Sequence, residues 1–248
     1  MKRSNILMLM AVLLFSACKK SGNDTTKPQT YKIVSVQENN EAPSTYTYDD
    51  KGRVSKVTNL YGYGDGTFAY SDSRITFTKE SDGSTQYFNL AGGFISSNKY
   101  DIYNYDAEQF LTTRSSAQDN SVDYTLSYSG QNIVKVVSKD GRITTIDYYE
   151  GDSYQNLMGF ENALYSSLLF NESTFSSFDA SFTGKRSNNL VKLITTTKQI
   201  AGKTFTYKDT YTYLKDADGK VTTMTVQTEQ PVTPSIIITV YKFTYSRV

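Results

Sequence analysis

The chain has 248 residues, with 26 Lys and Arg against 25 Asp and Glu, so its formal net charge is only +1. A balance this close to neutrality, with the basic residues scattered along the chain, argues against the basic stripe that nucleic-acid binders carry. Histidine is absent and cysteine occurs once, which removes the Ser-His-Asp arrangement, histidine metal sites and any internal disulfide.

The first residues follow the pattern of a secretory signal peptide. Lys2 and Arg3 form a short positive region, residues 6–15 are almost wholly apolar, and residues 16 and 17 are small. The apolar run is too short to form a permanent membrane-spanning helix. The pattern predicts a signal peptide over residues 1–17, whose removal takes away two basic residues and no acid and leaves a net charge of −1.

The only cysteine, Cys18, stands directly after this segment, so residues 14–18 resemble a bacterial lipobox. The resemblance implies that Cys18 is acylated and that its lipid holds the mature protein on a membrane. Lys19 stands where an aspartate is associated with retention at the inner membrane, which favours the outer membrane, on either its periplasmic or its surface side. The alternative is an ordinary signal peptide with a coincidental cysteine. Residues 18–30 are polar and predict a flexible linker.

Residues 31–248 alternate between strand and turn patterns, which predicts one folded domain. In the stretch 45–54, Tyr46 and Tyr48 alternate with threonine, the turn sequence Asp-Asp-Lys-Gly follows, and Val54 opens the return strand. Similar hairpin patterns recur at 103–111, 126–134, 139–143 and 211–221. The sequence therefore predicts an all-β (mainly β) fold, an antiparallel meander of long hairpins that forms a strongly curved sheet or half-barrel.

One segment departs from the strand pattern. Between residues 153 and 170, apolar side chains recur at three- and four-residue spacing: Leu157, Phe160, Leu164 and Leu168. Asp152 or Ser153 is available as the N-cap. The spacing predicts one helical insertion near 153–170, which would pack over a sheet face or in an open barrel end.

The aromatic content is high, with 21 Tyr and 13 Phe and no Trp. Pairs such as Tyr46 and Tyr48 lie on one face of a predicted strand, where they suit a buried core. An alternative is that part of this face stays open and contacts a glycan or a lipid tail. The predicted loop at 61–70 is the first candidate for ligand contact, through four aromatic side chains: Tyr61, Tyr63, Phe68 and Tyr70.

Without histidine or a free cysteine, the remaining chemistry is that of carboxylates. Three acid pairs have the residue types for a calcium site or for the acid and base of a glycosidase: Asp49 with Asp50, Glu150 with Asp152, and Asp216 with Asp218. Each pair lies at a predicted turn, where aspartate favours the turn by accepting backbone hydrogen bonds. The expectation is therefore a protein with no catalytic residues, no metal site and no cofactor.

Two resemblances follow from these motifs. The stretch 46–54 resembles the YD-repeat unit of Rhs-type shell proteins. Over most of the mature chain, the lipobox, the Tyr-x-Tyr-Asp hairpins and the segments 186–191 and 241–245 resemble a family of Bacteroidota lipoproteins that carry a domain of unknown function. This second resemblance implies a location at the outer membrane and brings no assigned activity.

Three functions stay open. The favoured one is a non-enzymatic, lipid-anchored binding or scaffold protein of the cell envelope, with a glycan or a protein as partner and no nucleic acid. The second is a carrier that holds a lipid or another hydrophobic ligand inside the curved sheet. The third is a carboxylate-dependent glycosidase, which requires two acids in one cleft.

Overall fold

The computed structural model describes residues 31–60, 64–155, 157, 180–231 and 235–247. The predicted signal peptide, Cys18 and the linker lie outside these residues. Tyr31–Val248 forms one compact unit. In the part of the chain that is described, no helix is both long enough and apolar enough to cross a membrane.

Sixteen strands follow one another along the described chain, and each is antiparallel to its neighbours. They are β1 (Tyr31–Glu38), β2 (Ser44–Tyr48), β3 (Val54–Leu60), β4 (Gly64–Tyr70), β5 (Arg74–Lys79), β6 (Thr85–Ala91), β7 (Phe94–Ser97), β8 (Asp101–Tyr105), β9 (Leu111–Ser116), β10 (Val122–Ser129), β11 (Asn132–Ser138), β12 (Ile143–Ser153), β13 (Asn189–Ile200), β14 (Lys203–Lys215), β15 (Val221–Glu229) and β16 (Ile236–Arg247). The predicted all-β antiparallel meander is confirmed.

The meander closes into a barrel, so the predicted half-barrel is wrong. Strand β1 pairs with β16 from Tyr31 opposite Arg247 to Glu38 opposite Tyr241. An even number of up-and-down strands brings the last strand antiparallel to the first, and their pairing satisfies backbone groups that two open edges would expose. Alternation within single strands carries no information about this long-range pairing.

The predicted helix at 153–170 is not seen among the described residues. Its proposed N-cap residues, Asp152 and Ser153, end strand β12 instead, and Ser153 pairs with Asn189 of β13. Cross-strand pairing here outweighs the local preference of these residues for a helix start. A short 3₁₀ helix spans Ala180–Thr183, and most of the predicted helix lies outside the described residues.

Alternation along the strands separates a buried inner face from an outer face that is mainly polar. Every one of the sixteen strands contributes to a single inner cluster of buried apolar side chains, of which Phe77, Phe88 and Leu111 are at most 1% exposed. The outer positions carry mainly threonine, serine and lysine, for example Thr47, Thr67, Ser127, Lys135, Thr145, Lys192, Thr212 and Thr244. The aromatic stripes predicted to form the core do so at Tyr46, Tyr103, Tyr211 and Phe243.

Seven tyrosines form a belt inside one end of the barrel, each on an even-numbered strand. Each hydroxyl donates to the backbone carbonyl of an aliphatic residue on the preceding strand: Tyr48 to Ile33, Tyr70 to Val54, Tyr105 to Ile95, Tyr128 to Leu111, Tyr148 to Ile133, Tyr213 to Val191 and Tyr245 to Val221. We call these seven residues the tyrosine belt.

Residues 180–188, which we call the cap segment, pack against the tyrosine belt. The ring of Phe182 stacks on that of Tyr70 with 5.6 Å between centroids. The Ser187 hydroxyl lies 2.8 Å from that of Tyr148 and accepts a hydrogen bond from the N–H of Ile133 at 3.1 Å. This end of the barrel is therefore occupied by packed and hydrogen-bonded side chains.

Candidate functional site

The two described aromatic residues of the predicted ligand loop, Phe68 and Tyr70, lie on β4 and pack in the core. Phe68 is 7% exposed, and its ring centroid lies 4.9 Å from that of Phe77. Tyr70 belongs to the tyrosine belt, with the Arg53 guanidinium 4.2 Å from its ring centroid. Tyr61 and Tyr63 lie outside the described residues. Ligand binding by these four residues stays a prediction.

Four of the six acids in the predicted pairs lie beside a cation. Asp49 lies 2.6 Å from Arg53, Lys215 contacts Asp152, and Lys220 lies 3.0 Å from Asp216 and 2.7 Å from Asp218. Within the described ranges, no group of three or more acidic, histidine or cysteine side chains is placed to hold a metal ion.

The pKa of Asp49 shows the effect of this pairing. Partial burial acts to raise the pKa, but hydrogen bonds and the charge of Arg53 outweigh it and hold the Asp49 pKa below its ordinary value. Hydrogen bonds from Lys220 likewise lower the pKa of Asp216. A glycosidase acid needs a raised pKa, so the environment of these turn residues is the opposite of what that reaction requires.

A groove of about 400 Å³ lies on the outer wall, between β5, β6 and the turn that joins β7 to β8. We call it the outer-wall groove. Its lining is polar and aromatic, and it contains no carboxylate among the described side chains: Arg74, Thr85, Gln86, Tyr87, Asn89, Asn98, Lys99 and Tyr100.

Two half-exposed tyrosines give the outer-wall groove its aromatic surface, since Tyr87 is 47% exposed and Tyr100 is 50% exposed. Tyr87 faces outward because the next residue on β6, Phe88, fills the core. The Thr85 hydroxyl donates to the Tyr87 hydroxyl at 2.9 Å. The Arg74 guanidinium lies 5.0 Å from the Tyr87 ring centroid, which is within the range of a cation–π contact.

Asn98 fixes the turn that carries Tyr100. Its Oδ1 accepts hydrogen bonds from the backbone N–H groups of Tyr100 and Asp101, both at 2.7 Å. The Tyr100 carbonyl accepts a further bond from the N–H of Ala117 at 2.7 Å. An asparagine that bonds the backbone two and three residues ahead stabilises a turn locally, so Tyr100 stands on a backbone that is already ordered.

A buried ion pair supports this turn from inside the barrel. Asp101 and Arg114 are only 4% and 7% exposed, and the Arg114 Nε lies 3.1 Å from the Asp101 Oδ1. The Arg114 guanidinium also lies 4.6 Å from the ring centroid of Tyr124. Because Asp101 is held by Arg114, its negative charge is compensated inside the barrel wall and does not neutralise the cations of the groove.

Both cations of the groove keep their charge available. Arg74 donates from Nε to the Asn89 Oδ1 at 3.3 Å, and Asn89 is itself held by a bond from its Nδ2 to the Ser97 hydroxyl at 3.0 Å. The Lys99 Nζ lies 5.1 Å from the Tyr100 ring centroid. No ion pair joins Arg74 or Lys99 to any carboxylate in the part of the chain that is described.

Sequence reasoning missed this groove because it weighed aromatic residues at alternate positions. The usable signal is the opposite one, two large aromatic residues at adjacent positions, as in Tyr87-Phe88. Neighbouring residues of a regular strand point to opposite faces, so one ring of such a pair faces away from the core unless the strand is irregular, as at Tyr148-Tyr149. Tyr100 gives a weaker signal, since it directly precedes the strand that begins at Asp101.

The chain matches no protein-family model and no curated protein. Two solved structures share its architecture. A porin-like protein from Bacteroides uniformis has a TM-score of 0.60 and 16% identity over 88% of this chain and 99% of its own. A porin-like protein from Bacteroides vulgatus has a TM-score of 0.56 and 14% identity over 86% of this chain and 98% of its own. The chain therefore has the same fold as these two barrels.

Proposed function

We propose that the chain is a non-enzymatic binding module of the bacterial cell envelope that holds glycans in the outer-wall groove. The observation that carries the proposal is the pair of half-exposed rings, Tyr87 and Tyr100, on an ordered backbone beside amide and guanidinium donors. Aromatic rings offer a rigid apolar surface to the C–H face of a sugar, and the polar groups match its hydroxyls.

The envelope location rests on the N-terminal pattern, with Cys18 as the lipidated residue. Both structural neighbours are described as porin-like proteins, which supports a cell-envelope setting. A membrane-spanning barrel carries an apolar outer band flanked by aromatic girdles, whereas many described outer positions here are polar, such as Thr67, Lys135 and Thr212. This polarity supports a barrel that stands in water and is held to the outer membrane by its lipid.

The core favours this role over the two alternatives. A carrier of hydrophobic ligands needs interior space, whereas here buried apolar side chains from all sixteen strands pack into one cluster. A glycosidase needs a protonated acid, and the turn carboxylates with lowered pKa values lie beside cations. Binding on the outer wall needs neither an internal cavity nor a catalytic pair.

Binding of the full, detergent-solubilised chain to an array of neutral and acidic oligosaccharides tests the proposal. Each aromatic contact contributes on the order of 1 kcal/mol, so replacing both rings in Tyr87→Ala/Tyr100→Ala is expected to weaken retention about tenfold or more. Tyr31→Ala is the matched control, since Tyr31 is 37% exposed and outside the groove. The proposal is contradicted if no oligosaccharide is retained or if the double variant binds like the unchanged chain.

A further inference from the structure

We infer that the outer-wall groove selects acidic glycans, in which neighbouring sugars carry carboxylates, as in an oligouronate. This inference rests on the proposed function, because it names the ligand class of the same groove. The geometry that points to it is a cation beside a tyrosine ring, which occurs twice in the groove. Arg74 lies 5.0 Å from the Tyr87 ring centroid, and Lys99 lies 5.1 Å from the Tyr100 ring centroid.

Each pair combines two features that a uronate residue also combines. The tyrosine supplies an apolar aromatic surface, and the cation supplies a positive charge beside it. A uronate has an apolar C–H ring face and a carboxylate on the adjoining carbon. Because two such pairs line one groove, an acidic oligosaccharide offers a carboxylate and a ring face to each pair, whereas a single small anion offers them to one at most.

Arg74 has the geometry to bind a carboxylate with two hydrogen bonds. Its Nε is used by Asn89, while its Nη1 and Nη2 donate no hydrogen bond to any described residue. The planar guanidinium presents paired donors that fit the two oxygens of a carboxylate. Asn89 holds one edge of the guanidinium, which reduces the rotamer entropy that binding would otherwise cost.

The charge of the groove is not cancelled locally. The described lining residues include two cations and no acid, and the nearby Asp101 is taken by Arg114. A neutral sugar would bring no negative charge to Arg74 and Lys99, whereas an acidic sugar compensates the charge of both. The contacts lie on an exposed wall, so the attraction should weaken as salt shortens the Debye length from about 30 Å at 0.01 M to about 10 Å at 0.1 M.

Calorimetry with a galacturonic acid tetrasaccharide and its fully methyl-esterified form tests this inference, because the two probes differ only at the carboxyl groups, which are anionic in the first and neutral methyl esters in the second. The unchanged full chain is expected to bind the free acid at least tenfold more tightly than the ester, with a preference that shrinks as salt is raised. Arg74→Gln and Lys99→Gln should each weaken binding of the acid about fivefold and leave binding of the ester unchanged.

Two further variants separate the groove from the overall charge. Arg74→Lys keeps the positive charge but loses the paired donors of the guanidinium. Binding of the acid should therefore fall to a level between that of the unchanged chain and that of Arg74→Gln. Lys135→Gln removes an exposed outer-face lysine on β11 and should leave both probes unaffected. An equal loss with Lys135→Gln would overturn the inference, because bulk charge would then explain the preference.

The outcomes distinguish this inference from the proposed function. Equal binding of acid and ester, lost together in Tyr87→Ala, overturns the acidic preference and leaves glycan binding in place. Binding of neither probe, while a neutral oligosaccharide is retained on the array, also overturns only the acidic preference. Binding of no saccharide at all overturns both.

Discussion

The tyrosine belt shows how one side chain can satisfy two requirements of a wide barrel. Its rings fill the interior at one end, and its hydroxyls donate to carbonyls of the preceding strand, for example from Tyr128 to Leu111 at 2.8 Å. The contacts are linked through the sheet, because Tyr128 pairs with Ile133, whose carbonyl accepts from Tyr148. Of the eight even-numbered strands, only β6 lacks a belt tyrosine, and it carries Leu90 at the equivalent position.

Burial of the belt predicts a loss of stability at alkaline pH. Desolvation raises the pKa of Tyr105, Tyr128 and Tyr148, whereas the unfolded chain titrates near 10. Above about pH 10 the unfolded state therefore binds fewer protons than the folded state, and the free energy of unfolding falls by up to about 1.4 kcal/mol per pH unit for each such tyrosine.

Urea unfolding between pH 8 and 11 checks this prediction, with Tyr128→Phe as the comparison. That variant loses its bond to Leu111, which costs about 1 kcal/mol at pH 8. It also has one buried tyrosine fewer to titrate, so its stability should fall less steeply above pH 10. Stability that stays level to pH 11, or equal slopes for the two proteins, would contradict the buried and neutral state of the belt.

The hairpin turns next to the belt repeat one geometry with different residues. In the first, the N–H of Asp49 donates to the Arg53 carbonyl and the N–H of Gly52 donates to the Asp49 carbonyl. The turn from Asp216 to Lys220 has the same two bonds. The fourth residue of each turn has a positive φ, 73° at Gly52 and 79° at Gly219, which glycine adopts without steric cost.

The first of these turns offers a matched pair of aspartates for testing. The Asp49 Oδ1 accepts the backbone N–H groups of Lys51 and Arg53 at 3.0 and 2.8 Å, whereas Asp50 is exposed and makes no such bonds. Asp49→Ala should lower the free energy of unfolding by about 1 kcal/mol, as loss of a capping side chain does. Asp50→Ala should stay within about 0.5 kcal/mol of the unchanged chain. Equal effects in denaturant titrations would refute the assigned role of Asp49.

The turns and hairpins are the part of the fold that could be predicted from sequence, because they depend on residues within one hairpin. The pattern 46–54 contains both a belt tyrosine and the aliphatic residue that faces it, since Tyr48 pairs with Val54. Closure through β1 and β16 joins residues more than 200 positions apart, as in Val240 with Asn39, and no local pattern encodes it. The predicted helix start failed for a similar reason, because Ser153 pairs with the distant Asn189.

The outer-wall groove was only partly accessible to sequence reasoning. The adjacent aromatics Tyr87 and Phe88 imply that one ring faces water. What sequence could not supply is the neighbourhood of that ring: Arg74 lies beside it because β5 and β6 pair with Arg74 opposite Asn89. The turn with Tyr100 joins the groove only through the order of β6, β7 and β8 in the sheet.

At the scale of the whole molecule, the barrel divides structural and binding roles between its two faces. The inner face is committed to packing, with one apolar cluster that reaches every strand and a belt that meets the cap segment. The outer face is mainly polar, with exposed apolar residues such as Ile236, Ile237 and Ile238, and it carries the groove. Glycan binding on the outer wall is therefore compatible with a rigid barrel, since no strand has to move to admit the ligand.

Hydrogen exchange measured by mass spectrometry, with and without saturating galacturonic acid tetrasaccharide, tests this division most directly. We expect slower exchange in peptides that cover residues 84–89 and 97–101, with no change in peptides that cover the cap segment at 180–188. Slower exchange at the cap segment instead, or no change anywhere at saturation, would contradict binding at the outer-wall groove.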